Sequence, residues 1–136
     1  MIYALEIKER AIGKERPAFN SKNKKAYTPE KTKMFEELLK WSFIKKYKIP
    51  EIPSVRPIKA EIQVEYKPSK TASKQMFFYT KNNPYVNRPD VDNIAKIILD
   101  AFNGVVYQDD SQITDLHITK QYGEEDRIVI YLEELM

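Results

Sequence analysis

Two pairs of aspartates are the side chains of this chain best suited to chemistry. Asp90 and Asp92 stand two residues apart just after Pro89, and Asp109–Asp110 follow later in the chain. Carboxylates that converge on one point usually bind a divalent cation, and a cation held in this way can activate water. The pattern predicts a metal site built from Asp90, Asp92 and Asp110, of the kind that cleaves phosphodiester bonds.

Two lysines are candidates to assist such a site. Lys96 lies about one helical turn after Asp92, where it could steady a phosphate or help the attacking water lose its proton. Lys120 alternates in phase with Leu116 and Ile118, so it is predicted to point toward the helix-covered face of a sheet and could play the same part.

Each of these residues also has an ordinary structural explanation. Asp90 and Asp92 could cap a helix and complement its dipole, and Asp109–Asp110 could simply form a turn. Lys96 and Asp100 could be an exposed i,i+4 ion pair. The functional interpretation therefore depends on whether the residues can reach one centre together.

A helix predicted over Asp92–Asn103 must position most of them. Gly104 is expected to end it in a left-handed conformation. Its apolar residues recur at helical spacing: Ile94, Ile97, Ile98, Ala101 and Phe102, extended by Ala95 and Leu99. Its polar residues fall on one narrow stripe, as a helix lining a cleft would have: Asp92, Asn93, Lys96, Asp100 and Asn103.

The spacing permits a single site. The helix would be about 17 Å long at roughly 1.5 Å per residue. An extended run from Gly104 to Asp110 would span about 20 Å, enough to bring Asp110, or Asp109, back to the start of the helix.

The remaining elements predict one α+β domain over residues 1–136. Ile2–Ile7 and Ile58–Tyr66 alternate apolar and polar residues as half-buried strands. Ile113–Gln121 and Arg127–Glu133 are predicted to form a terminal hairpin around a turn at residues 122–126. The predicted fold is a four-stranded, mixed sheet with two helices on one side and two basic loops.

A first helix is predicted before the second strand. Thr28 would be its N-cap, Pro29 its first residue, and Tyr47 its approximate end. Its apolar stripe, broadened by Trp41 and Phe43, is predicted at Met34, Phe35, Leu38, Leu39, Ser42 and Ile44.

The charge is divided unevenly along the chain. Residues 1–89 hold 20 Lys/Arg and 9 Asp/Glu, whereas residues 90–136 hold 3 Lys/Arg and 11 Asp/Glu. A basic portion beside an acidic cluster suits a polyanion binder with a cation site, although an uneven solvated surface is the alternative. The candidate DNA-binding residues are Lys14, Arg16, Lys24, Lys25, Lys74, Lys81, Arg88 and Lys120.

Most of these cations lie in two predicted loops, residues 8–33 and Lys67–Pro89. Aromatic residues are interleaved with the cations, which suits phosphate contacts combined with base stacking, but a solvated flexible loop is the alternative. Met76–Tyr79 in the second loop could instead be a short strand or an apolar patch that a partner subunit covers.

Several classes of protein are disfavoured. The chain has no cysteine, no run resembling a signal peptide and no apolar stretch of membrane-spanning length, so a cytoplasmic protein is expected. Ala95 stands where a calcium-binding hand needs glycine, and the P-loop, HExxH and GxSxG motifs are absent. His117 is predicted to be a surface residue.

The run from Arg88 to Gln112 resembles the RusA family of Holliday junction resolvases. The resemblance rests on Asp90-Val91-Asp92-Asn93, Lys96, and the segment Asp100-Ala101-Phe102-Asn103-Gly104 through Asp109-Asp110. Lys14-Glu15-Arg16-Pro17 and Ala26-Tyr27-Thr28-Pro29 are similar to the prophage branch of that family.

The resemblance implies a homodimeric, Mg²⁺-dependent endonuclease, with Mn²⁺ able to substitute, that binds four-way DNA junctions and nicks two strands symmetrically. It assigns the essential carboxylates to Asp90, Asp92 and Asp110 and the catalytic lysine to Lys96. The chain departs from the family pattern at two positions. Pro89 separates Arg88 from Asp90 where some members carry Arg directly before the first Asp, and Ala18 stands where relatives often have a second Arg.

Two other functions remain open. One is a catalytically silent protein that binds branched DNA, in which the acidic cluster is structural. The other is a nuclease for flap or other branched substrates, which the same site could serve.

Overall fold

The structure, a computed structural model, describes residues 1–15, 18–20, 25–27, 29–48, 52–68 and 83–136. Two helices, six strands and a short 3-10 turn are formed by these residues. In chain order they are β1 (Ile2–Ile7), β2 (Ala18–Asn20), β3 (Lys25–Tyr27), α1 (Glu30–Tyr47), β4 (Ile58–Tyr66), α2 (Val91–Ala101), the 3-10 turn (Asp110–Gln112), β5 (Ile113–Tyr122) and β6 (Arg127–Glu134).

The main sheet has four strands in the order β1-β6-β4-β5. β6 pairs antiparallel with both β1 and β4, whereas β5 pairs parallel with β4. Because a parallel neighbour requires the chain to cross back over the sheet, the segment between β4 and β5 carries α2 across one face. The predicted α+β class with a mixed four-stranded sheet is confirmed.

β4 shows why one face of the sheet is buried. Its residues alternate between buried and solvent-facing positions along all nine residues, as its sequence predicts. The helices cover the buried face, and six of the eleven residues of α2 are buried against it. Phe43 of α1 packs edge-on against Phe102 at a ring-centroid distance of 5.8 Å, which joins the two helices in one core.

The predicted terminal hairpin is wrong. β5 and β6 lie on opposite sides of β4, so the turn between them crosses the end of that strand. Gly123 makes this crossing possible, because a Cβ there would lie 2.9 Å from the Cβ of Glu65. The backbone NH of Gly123 donates to the carbonyl of Tyr66 at 3.1 Å. The alternation of apolar and polar residues identified β5 and β6 as strands, but it did not indicate that β4 lies between them.

The predicted start and buried face of α1 also need correction. The N-cap is Pro29 and the helix begins at Glu30, one residue later than predicted, while the end at Tyr47 is confirmed. The buried side chains are Thr32, Phe35, Leu39 and Phe43. Met34 and Trp41 are 66% and 57% exposed, so they do not belong to the buried stripe.

The first basic loop contains regular structure that the sequence did not predict. β2 and β3 within residues 8–33 pair antiparallel as a separate two-stranded sheet. In the second loop, residues 69–82, including Met76–Tyr79, lie outside the described residues. The described part of the chain contains no helix that is both long and apolar enough to span a membrane.

Candidate active site

The N-terminal end of α2 presents two carboxylates that make no ion pair with another described residue. Asp90 occupies the N-cap position with extended backbone, and its carbonyl accepts from the NH of Ile94 at 3.0 Å. Its side chain makes no capping hydrogen bond, so side-chain capping does not account for Asp90. Asp92 follows in the first turn, and both residues are exposed. These two carboxylates are therefore free to bind a cation.

Lys120 of β5 holds the residues that precede Asp90. It points toward the helix-covered face, as predicted, and its Nζ donates to the carbonyls of Asn87 at 2.5 Å and Pro89 at 2.7 Å. Burial lowers the pKa of the Lys120 ammonium, and the charge of Asp90 partly opposes that shift. These contacts anchor the chain just before Asp90.

The segment before β2 is clamped onto the same end of α2. The NH of Lys14 donates to the carbonyl of Asn93 at 2.9 Å. A Cβ at Gly13 would lie 2.9 Å from the Cβ of Pro89 and 3.0 Å from that of Asn93. Glycine is therefore required for this close approach. The Tyr66 hydroxyl donates to the carbonyl of Ala11 at 2.9 Å and fixes the segment from the sheet side.

The side chain of Lys14 continues to the C-terminal end of α2. Its ammonium pairs with the Glu36 carboxylate of α1 and lies 3.4 Å from an Asp100 carboxylate oxygen. Burial lowers the pKa of Lys14, but the hydrogen bonds and charges of Glu36 and Asp100 outweigh it and raise that pKa above its usual value. The Lys96 ammonium is also 4.0 Å from Asp100. Asp100 is thus the centre of an ion network.

Asp109 and Asp110 have different environments. Asp109 caps the 3-10 turn: its carboxylate accepts from the NH of Ser111 at 3.0 Å, while Gln112 Oε1 accepts from the NH of Asp109 at 3.0 Å. The hydrogen bonds from Ser111 lower the pKa of Asp109. The structural explanation, a turn, thus accounts for Asp109 and leaves Asp110 as the second candidate ligand.

A hydrogen-bonding interaction with the Asp100 carboxyl is the main cause that raises the pKa of Asp110, followed by burial and the negative charges of Asp100 and Asp109, while Lys96 opposes the shift. Two carboxyl groups in direct contact need either a shared proton or a cation to stabilise them.

The chain after α2 reaches this position through turns, so the predicted extended run is wrong. The NH groups of Val105 and Val106 both donate to the carbonyl of Phe102 at 3.0 Å, and Gly104 has the predicted left-handed conformation, with φ of 75°. The buried hydroxyl of Tyr107 donates to the carbonyl of Leu99. Because the chain turns tightly, Asp110 meets Asp100 near the end of α2.

The donor chemistry suits Mg²⁺, since carboxylate oxygens are its preferred protein ligands. The Asp100–Asp110 pair also offers a place where a cation would relieve repulsion. However, among the described residues no three Asp, Glu, His or Cys side chains form a group that could hold a metal ion. The structure brings Asp110, Asp100 and Lys96 together, and it places Asp90 beside Lys120 instead. The ligand roles of Asp90, Asp92 and Asp110 stay predictions.

The sequence interpretation missed two members of this arrangement. Asp100 was recognised only as a polar residue of α2 and a possible partner of Lys96, although it lies two helical turns from Asp92 on the same stripe. That spacing was the available signal. Nothing in the sequence indicates that Glu36 pairs with Lys14, because only the packing of α1 against α2 brings the two residues together.

The predicted DNA-binding residues fall into three groups. Lys14 and Lys120 are engaged in the contacts described above, and Arg88 is exposed beside Pro89. Lys25 lies in β3, where the backbone alone is described. Outside the described residues lie Arg16, Lys24, Lys74 and Lys81.

Comparison with known proteins covers nearly the whole chain. The model of the protein family described as Endodeoxyribonuclease RusA matches residues 10–133. The chain is also similar to a protein of Bacillus subtilis (strain 168) described as "Uncharacterized protein YqaN". The two are 29% identical over 130 residues, which cover 91% of this chain and 90% of the relative. The matched ranges include both ends of α2 and the Lys14 segment.

Proposed function

Because this chain belongs to the RusA family of endodeoxyribonucleases, we propose that it is a Mg²⁺-dependent nuclease that resolves four-way DNA junctions. Residues 1–136 would act as one nuclease domain, and two copies would form a homodimer that nicks two strands symmetrically. The observation that carries the proposal is a pair of exposed carboxylates, Asp90 and Asp92, at the N-terminal end of a mostly buried helix, with no ion-pair partner among the described residues.

In this proposal Asp90, Asp92 and Asp110 would hold the metal. Mg²⁺, or Mn²⁺ in its place, would supply charge neutralisation at the phosphate and a more acidic water. Their carboxylate chemistry supports the assignment, and so does the repulsion between Asp110 and Asp100, which contributes to the raised pKa of Asp110.

Lys96 is the proposed catalytic cation. It lies between the two ends of α2 on the polar stripe and is exposed, and its one ion-pair partner among the described residues is Asp100, at 4.0 Å. An ammonium has three donors, so Lys96 keeps donors for a phosphate oxygen while it faces Asp100. Its role would be to hold charge that develops on the phosphate.

Asp100 and Lys120 are proposed as positioning residues. Asp100 faces Lys96, Lys14 and Asp110 and so sets the relative position of three groups. Lys120 anchors Asn87 and Pro89 and therefore the backbone that carries Asp90. Neither needs to contact DNA to affect the reaction.

Substitution of Asp92 by Asn tests the proposal. Asp92→Asn is expected to abolish cleavage of a synthetic four-way junction in Mg²⁺ while junction binding persists, because the amide is a poor metal ligand but preserves shape. Cleavage should be compared on four-way junction, flap and linear duplex, with Mg²⁺ and with EDTA.

The matched control is Asp115→Asn, which removes an exposed carboxylate on the opposite face of the sheet and should leave cleavage unchanged. Normal cleavage by Asp92→Asn would refute its assignment as a ligand. Junction binding without metal-dependent nicking by the unmodified protein would instead support the non-catalytic alternative, and preferential flap cleavage would support a different branched substrate.

A further inference from the structure

A cleft of about 460 Å³ opens beside Asp90. Its walls come from the segment that precedes β2, from the first turn of α1 and from the residues just before α2. Its charged lining consists of Arg10, Lys14, Lys31, Arg88, Glu15 and Asp90. Four cations and two carboxylates give the cleft a net positive charge next to a proposed metal ligand.

Two of the four cations are already engaged within the protein. Arg10 pairs with Asp126 at 3.1 Å, and its guanidinium lies 4.8 Å from the centre of the Tyr66 ring. Lys14 pairs with Glu36 and Asp100. Their charges are therefore largely balanced before any ligand arrives.

The other two cations have no such partner among the described residues. Lys31 on the first turn of α1 and Arg88 before α2 are both exposed, and neither makes an ion pair or a side-chain hydrogen bond within the described part of the chain. They approach the cleft from different elements, so a ligand between them would be contacted from two sides.

The walls of the cleft are held in place. The requirement for Gly13 and the hydrogen bond from Lys14 to Asn93 fix one wall against α2, and Lys120 fixes the residues beside Arg88. A fixed frame presents its cations at a set spacing, which favours a defined anion over a diffuse ion atmosphere.

The lining also indicates which part of a nucleic acid would enter. None of the described lining residues is aromatic, so this part of the lining offers no surface for base stacking. Cations without stacking residues are typical of contacts to the phosphate backbone, which set position without reading sequence.

We propose that this cleft is a subsite for one backbone phosphate of the DNA strand, next to the phosphate that is cleaved at Asp90, and that Lys31 and Arg88 are its ligands. The inference rests on the proposed nuclease function and adds a substrate contact on α1. Each cation would neutralise DNA phosphate charge and release counterions when the junction binds.

The first test is the salt dependence of junction binding by the full-length protein in Ca²⁺ or EDTA. Lys31→Ala and Arg88→Ala should each reduce the magnitude of the slope of log Kobs against log salt, and the double variant should reduce it by about 0.9, the value for one phosphate contact. Lys33→Ala is the matched control, because Lys33 is an exposed lysine of α1 two residues away that does not line the cleft. It should leave the slope unchanged.

The second test locates the phosphate. Junctions with one neutral methylphosphonate at each position around the cleavage site should show one position where the unmodified protein loses affinity and Lys31→Ala loses none further. Circular dichroism of each variant establishes that it folds.

Slopes for Lys31→Ala and Lys33→Ala that both equal that of the unmodified protein would overturn the subsite. The subsite would also be overturned if Lys31→Ala and the unmodified protein lost the same affinity at every methylphosphonate position. If the unmodified protein cuts junctions while these results fail, the subsite alone is wrong. If the unmodified protein neither binds nor cuts any branched DNA, the proposed function is wrong as well.

Discussion

The two ends of α2 carry the same kind of residue in opposite electrostatic states. At the N-terminal end, Asp90 and Asp92 are exposed and make no ion pair with another described residue. At the C-terminal end, Asp100 faces two lysines, and its carboxyl interacts with that of Asp110 and raises the pKa of Asp110. One end is open to solvent and ligand, whereas the other is closed by the protein's own charges.

The helix dipole gives a physical reason for the difference. A carboxylate is stabilised at a helix N-terminus and destabilised near the C-terminus, so Asp90 and Asp92 need no partner while Asp100 does. Lys14 supplies that partner and is itself held by Glu36. Acidic residues at the two ends of one helix can therefore have different roles: Asp90 and Asp92 are candidate metal ligands, whereas Asp100 is a candidate positioning residue.

The largest expected effect is on cleavage. Asp90→Asn should reduce the rate of junction cleavage in Mg²⁺ by about 10³-fold or more, since a lost ligand removes several kcal/mol of charge stabilisation. Asp100→Asn should reduce it by about 10–100-fold, the typical cost of losing a partner that orients ligands.

Single-turnover rates at a series of Mg²⁺ concentrations separate the two roles. Asp100→Asn should raise the Mg²⁺ concentration needed for half-maximal rate and recover activity at high Mg²⁺, whereas Asp90→Asn should not recover. If both variants lost the same cleavage rate and high Mg²⁺ restored neither, the two ends of the helix would not differ in role.

A smaller effect is expected on stability without metal. The folded protein raises the pKa of Asp110 above its ordinary value of 3.8, mainly through the hydrogen bond to Asp100. The stabilisation that this group contributes is therefore complete below pH about 4 and is lost as pH rises through the raised pKa. Asp110→Asn should consequently raise Tm in EDTA by about 1–3 °C at pH 7, and the gain should vanish near pH 4.

Asp109→Asn provides the control for that prediction. The pKa of Asp109 is lowered by hydrogen bonds from Ser111, and Asn also caps helices well, so this variant should gain no stability at pH 7. Thermal unfolding at both pH values measures the contrast. If Asp109→Asn raised Tm as much as Asp110→Asn, the contact with Asp100 would not be the cause of the rise in Tm.

The smallest effect concerns the closed end. Glu36→Gln should lower the free energy of unfolding by about 0.5–1 kcal/mol, because Lys14 loses one of its two partly buried partners. Urea unfolding at low salt measures the loss. Glu37→Gln, an exposed neighbour that contacts Trp41, should change it by less than about 0.5 kcal/mol. Equal effects in the two variants would remove the evidence that Glu36 supports the closed end.

The sequence predicted local structure well where one periodicity dominated. The bounds of β4 and the buried positions of α2 followed from alternation and helical spacing, because each element has one buried face. The buried face of α1 was harder to predict, since apolar residues occur on several sides of this helix. Its buried face was decided by partners such as Tyr3, whose ring lies 4.9 Å from that of Phe43.

Strand pairing was not predicted correctly, for a related reason. Alternation specifies which face of a strand is buried but not which strand lies beside it. β5 and β6 are close in sequence, yet β4 lies between them and pairs with both. Hydrogen bonding to a strand distant in sequence cannot be read from either segment alone.

The sequence by itself determined the residue types, the polar stripe of α2, the asymmetry of charge and the family resemblance, because these depend on local spacing and composition. Only the tertiary structure decided the state of each carboxylate. It brought Lys14 and Glu36 to Asp100, and it turned the chain after Gly104 so that Asp110 lies there as well. The electrostatic state of a carboxylate depends on neighbours within a few ångströms, and here those neighbours come from residues far apart in the chain.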